Sequence, residues 1–280
     1  MSIRCEVFNN TRTAVIHKMK ESVGREQWQE NMAFIETLRK KLRAHPINYH
    51  PMINCLNEGK VSKEALVKIH LEYRFAIVQI FTDALLMAQY QTRQLEPRFK
   101  SGIKMYPRFL LGLNIFDEFG FKIKPDQMNN LGSPDYAHYP LFENVLDELD
   151  IGHLARNRYM PSKAAKRVRH YLEDSFYSYT SLIALLAVVE VEVMLFSPPL
   201  RHALKNIGVD IENGYYFVHG TTEEHDVEAT DDDHENDLWF TLAHACTEED
   251  HINIKEVCMK YCELWERFWD EQLKHCKPFK

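Results

Sequence analysis

The chain has 280 residues, 45% of them hydrophobic and 12% aromatic, with a formal net charge of −7. That composition excludes a disordered chain and is ample for one large domain with a packed core. The acidic balance and the lack of a basic stripe argue against nucleic acid as a partner.

Taken in chain order, residues 1–25 contain no long apolar segment and no cleavage pattern, so no secretion signal is expected. They read as an N-terminal extension to a core of about 26–275. A first long helix is expected from Glu26 to about Ala44, closed by His45-Pro46, and a short one from Pro51 to Glu58. Ser62 is a suitable N-cap for a helix running to about Gln91, in which Leu66, Ile69, Tyr73, Ile77, Ile80 and Leu85 roughly follow helical spacing. Pro97 and Pro107 bracket the next connection, and a helix from about Arg108 stops at Gly120. The segment FKIKPDQMNNLGSPDY reads as loop, and His138 opens a helix to about Leu149.

Pro161-Ser162 starts a very long helix, expected to reach Phe196 and to stop at Pro198-Pro199. A short helix from Leu200 to Ile207 ends at Gly208. Asp210 caps a helix carrying His219 and Glu223, which the acidic run from Asp226 to Asp237 is expected to break. A last helix spans about Glu248 to His275, with Trp265, Phe268 and Trp269 on its apolar side. No strand-like alternation occurs, so the expected fold is a one-domain, all-α bundle. The longest apolar run, Leu182 to Val189, is too short to span a bilayer, and a cytoplasmic location without membrane contact is expected. Six dispersed cysteines without a CxxC pair read as reduced thiols.

Carboxylates and histidines scattered through apolar helices carry the functional signal. Glu190 and Glu192 follow eight apolar residues on a helix that reads as buried. An unpaired carboxylate there would cost on the order of several kcal/mol or stay protonated. Glu190 is the favoured metal ligand of the two. Glu72 reads as a ligand or as a surface acid, Glu118 as a ligand or an end-of-helix acid, and His138 as a ligand, a cap or a core histidine. His219, Glu223 and Asp226 fall on one helical stripe, suited to a metal or to an exposed polar face. Hard oxygen ligands mixed with imidazole suit iron, and a helical bundle can bring such ligands together from several helices.

These residues resemble the haem-oxygenase-like di-iron oxidases, which share their helical fold with pyrroloquinoline-quinone synthase and the TenA thiaminases. The resemblance runs from about Leu66 to Trp269. Its clearest element is Asn114-Ile115-Phe116-Asp117-Glu118-Phe119-Gly120, similar to the family's N-x-x-D-E-x-G segment. Tyr215-Tyr216 and His219 resemble the start of its Y-F-x-x-H-x-x-x-D-x-x-H signature, with Glu223 in place of the Asp and Asp226 in place of the final His; His225 is the alternate for that position. The resemblance implies a haem-oxygenase-like bundle of about seven main helices. It implies ligands at Glu72, Glu118, His138, Glu190, His219, Glu223 and Asp226, with no catalytic residue beyond them. Two Fe(II) ions with O2 as co-substrate would oxidise a small substrate, by N-oxygenation, carbon–carbon cleavage or desaturation. Polar His70, Arg74 and Gln79 near Glu72 point to an amino-acid-derived substrate, with a fatty acid as the second class. An external electron donor and a homodimer are further expectations. The rival readings are a cofactor-independent enzyme of the same fold and a non-enzymatic helical protein that docks a basic partner on its acidic run.

Overall fold

The computed structural model describes residues 3–121, 131–211, 214–218 and 230–276. Its long helices are α1 (Ile3–Val23), α2 (Arg25–Arg43), α5 (Gln79–Gln91), α6 (Met105–Glu118), α9 (Lys163–Asp174), α10 (Tyr179–Asn206), α12 (Thr230–Ala245) and α13 (His251–Leu273). Shorter ones are α3 (Pro51–Asn57), α4 (Lys63–Tyr73), α7 (His138–Glu148), α8 (His153–Arg158) and α11 (Tyr215–Val218). Among the described residues there is no strand, only one isolated bridge between Phe121 and Gly132.

α10 is the central helix and packs on α12, α13, α3 and α5. It is long and apolar enough to cross a membrane by length and composition, yet 78% of its most apolar window is buried inside the protein. Its apolar surface is covered by neighbouring helices, which is the alternative to lipid for a helix hydrophobic all round. The 1–25 segment is more than an extension: α1 packs on α6 and α2, and Val15 and Met19 are buried.

Four expectations about the elements are corrected. The very long helix from Ser162 is broken at 175–178, where the Ser175 hydroxyl donates to the Leu172 carbonyl and Ser178 caps a new helix by accepting from the Ser181 amide. α10 then continues through Pro198-Pro199 instead of stopping. Each proline removes a backbone donor, and burial of Leu200, Ala203 and Leu204 beyond them offsets that loss. The acidic run is helical from Thr230 onward, with His234, Glu235 and Asp237 buried. Arg39 and the Trp239 indole N–H hold Glu235, and Arg12 holds Asp237 at 3.0 Å, so these two acids face inward. Finally, the helix from Ser62 to Gln91 contains a π-helical turn at Arg74–Val78. Such a turn inserts an extra residue, so α4 is rotated against α5 by roughly one residue's angular step, about 100°.

Candidate metal centre

α6 lays down the first part of the site. Asn114 and Glu118 stand four residues apart and therefore share one helical stripe. Both are buried, and both face the interior next to α10. The Asn114 amide donates to Glu190 Oε1 at 2.8 Å, while its own Oδ1 is buried with no partner.

Glu118 is the last residue of α6, where the helix dipole disfavours a carboxylate. The chain offsets this by bringing an imidazole to it. α6 ends in a Schellman turn: the Gly120 amide donates to Asp117 and the Phe121 amide to Phe116, both at 2.9 Å. Gly120 sits at φ +74°, and a Cβ there would lie 2.5–2.6 Å from Ser133 O, Ala137 N and Tyr136 C. Only glycine lets the returning segment 131–137 cross so closely. That crossing starts α7 with His138, whose Nδ1 donates to Glu118 Oε1 at 2.7 Å. In the neutral ring that contact leaves the lone pair on Nε2.

Glu118, His138 and Glu190 line one small pocket with a cavity volume of about 20 Å³. Its remaining walls are Ile77, Val78, Phe81, Tyr139, Val189, Val193 and Tyr215. Ile77 and Val78 come from the π-helical turn, a feature that recurs at functional sites. Thr82 reaches Glu118 Oε2 at 3.5 Å.

Glu72 is not brought to this pocket. It is buried more than a turn before the lining residues, on the far side of the π-helical turn. There it accepts from the Tyr159 hydroxyl and from the Ser162 amide at 3.0 Å, at the start of α9. Its charge is held by a helix N-terminus, a role that needs no metal. The structure thus places the first-helix ligand that the resemblance implied away from this pocket, whose lining residues from 74–91 are apolar. His219, Glu223, His225 and Asp226 lie outside the described residues. Among the described residues, no group of three or more His, Cys, Asp or Glu is close enough together to hold a metal ion. Glu118 and His138 are in contact, and Glu190 adds a third ligand-type side chain on the same pocket.

The polar residues near Glu72 are engaged elsewhere. His70 is buried; its Nδ1 donates to the Leu66 carbonyl and its Nε2 accepts from the Tyr216 hydroxyl at 2.8 Å. Burial lowers its pKa to about 4, so the ring is neutral. Arg74 is paired with Glu143 and donates to the Tyr139 hydroxyl, as does Gln79. Arg74 and Gln79 line a second, half-open pocket with Arg156, Asn157 and Tyr159.

Sequence reasoning passed over Asn114, Thr82 and Tyr139. For Asn114 the signal was available: it lies four residues before Glu118 in an apolar helix. Asp117, beside Glu118, has a different task. His234 Nε2 donates to it at 3.0 Å and ties α6 to the first turns of α12.

No protein-family model matches the chain, and no curated protein matches it. Solved structures do. A CADD-like protein of unknown function from Nostoc punctiforme PCC 73102 superposes with a TM-score of 0.64 at 15% identity, covering 89% of this chain and 99% of its own. A TenA homolog from Pseudomonas syringae pv. tomato DC3000 gives a TM-score of 0.56 at 12% identity, over 88% of this chain and 93% of its own. The fold is thus the all-α, haem-oxygenase-like bundle shared by CADD-like and TenA proteins.

Proposed function

We propose that the chain is a non-haem iron oxygenase of the haem-oxygenase-like fold, with Glu118, His138 and Glu190 as the described part of its ligand set. The observation that carries this reading is the convergence of those three side chains, from α6, α7 and α10, on one otherwise apolar pocket. An imidazole and two carboxylates are hard and borderline donors of the kind that hold iron with positions left open. The buried, unpartnered Oδ1 of Asn114 adds a neutral oxygen beside Glu190. His219, Glu223 and Asp226, or His225, would complete the set. Iron, when bound, supplies the activation of dioxygen, which no side chain here can do.

The chain's own residues do the rest. Asn114 fixes the orientation of Glu190, and Gly120 lets His138 reach Glu118. Ile77, Val78, Phe81, Val189 and Val193 give the pocket an apolar wall that excludes water.

A metal-free enzyme of the same fold is the alternative, and the TenA homolog keeps it in view. A thiaminase of that fold needs a cysteine nucleophile in its pocket, and no cysteine is among the lining residues here. Anaerobic ferrous titration with iron analysis decides between them. The expected result is about two irons per chain, with binding weakened in Glu118→Ala and Glu190→Ala. Binding untouched by both substitutions ends the assignment, and dioxygen consumption after exhaustive chelation supports the metal-free enzyme.

A further inference from the structure

Away from the pocket, three sulfur atoms meet where α3 packs against α13. Met52 and Cys55 lie three residues apart on α3 and so share a face. Cys276, just past the end of α13, places its Sγ 3.5 Å from Met52 Sδ, and the Cys55 thiol stands next to it. His50, at the N-terminus of α3, ties the same seam by donating from Nε2 to Asp270 of α13 at 3.3 Å. Both thiols are half-buried, whereas Cys246, Cys258 and Cys262 are buried and closed to a soluble oxidant.

We propose that Cys55 and Cys276 are an oxidative modification site, two free thiols that close into a reversible disulfide clipping the C-terminal end of the bundle to α3. Cys276 lies beyond the last helical residue, where the backbone can shift to meet bonding geometry. Burial, and then the neighbouring Cys55, push the Cys276 thiol up to about 12.

With a small-molecule disulfide such as oxidised glutathione, one of the two thiols, as its thiolate, attacks one sulfur and releases one glutathione thiol. The other then gives up its proton and attacks the protein sulfur of the mixed disulfide, releasing the second. Two protein S–H bonds are lost and one S–S bond forms. The two electrons and two protons leave on the two glutathione thiols. The closed loop takes in most of the chain, so the bond removes conformational freedom chiefly from the unfolded state. The site is independent of any iron bound in the pocket.

The test uses the full-length chain incubated with excess oxidised glutathione, then alkylated under denaturing conditions and digested. The expected result is the loss of two of the six titratable thiols, a mass lower by two hydrogens, and a Cys55–Cys276 cross-linked peptide that dithiothreitol abolishes. The melting temperature should rise on oxidation in the parent and stay fixed in Cys276→Ser, whose fold is checked by circular dichroism. Six thiols still free, a glutathione adduct that persists on Cys55, or a cross-link between other cysteines would overturn the proposal. Because mapping is done on the unmutated chain, failure of a variant to fold leaves the result readable.

Discussion

Glu190 and Glu192 are two residues apart on α10, both nearly excluded from solvent, and they meet opposite surroundings. Glu190 faces α6, accepts from Asn114 and borders a pocket. Glu192 faces a wall of rings: the Tyr73 hydroxyl and the Trp269 indole N–H each donate to it at 2.9 Å, and Trp269 stacks on Phe196 with 4.0 Å between ring centroids. Burial raises the Glu192 pKa to about 8, even though both hydrogen bonds pull the other way. Each carboxylate borders a small pocket, and what separates them is their neighbours: Asn114 with a second carboxylate and an imidazole nearby for Glu190, Tyr73 and Trp269 for Glu192. A carboxylate beside a pocket with a second carboxylate and an imidazole can serve a ligand. One enclosed by aromatic rings serves the fold, and its charge is a burden there.

The sharpest way to break this contrast is the paired substitution to glutamine. Glu190→Gln should lower ferrous affinity by on the order of 100-fold, with little change in melting temperature. Glu192→Gln should leave iron binding alone and raise stability near pH 8 by on the order of a few kcal/mol, because the amide carries no charge to desolvate. Anaerobic titration and chemical unfolding read the two effects, and identical behaviour of the two variants would dissolve the distinction. Next in size, Gly120→Ala should destabilise by more than about 2 kcal/mol and weaken iron binding as well, since the returning segment that delivers His138 must move. Trp269→Phe should cost about 1–3 kcal/mol in denaturant unfolding and raise the Glu192 pKa further, without touching the pocket.

The pH dependence sharpens the same comparison. Between 4.5 and about 8 the folded chain holds a proton on Glu192 that the unfolded chain has released, so stability falls as pH rises through that window. His70 and His244, both lowered by burial to about 4, act oppositely: the unfolded chain binds protons below 6.5 that the folded one refuses, so stability falls as pH drops from 6.5 towards 4. These three groups together place the maximum near 6.5. Unfolding free energies measured across that range should show it, and Glu192→Gln should flatten the limb above 6.5 and steepen the one between 4.5 and 6.5. The smallest effect is expected from Asp117→Asn, which weakens a half-exposed tie between α6 and α12 by about 0.5–1 kcal/mol, seen as a slight drop in melting temperature.

Much of the fold was legible because it is written in local chemistry. Ser62 and Ser162 cap helices where the sequence places them, accepting from Ala65 and Ala165. Gly120 ends α6 as a left-handed residue should. The interruption at 175–178 and the passage of α10 through two prolines were not legible, since each rests on burial and on partners distant in sequence. Glu72 shows the limit most plainly. The sequence left it a ligand or a surface acid; it is buried, and Tyr159 and the Ser162 amide, some ninety residues on, decided what it holds.

By itself the sequence determined an all-helical chain, the buried stretch that carries Glu190 and Glu192, and the shared face of Asn114 and Glu118, because helical period and capping depend only on near neighbours. It also placed Glu190 and Glu192 about 200° apart around their helix. Which of those two directions meets Asn114, Glu118 and His138, and which meets Tyr73 and Trp269, only the tertiary structure decided, because a side chain's distant neighbours are set by the helices packed around α10 and not by α10 itself.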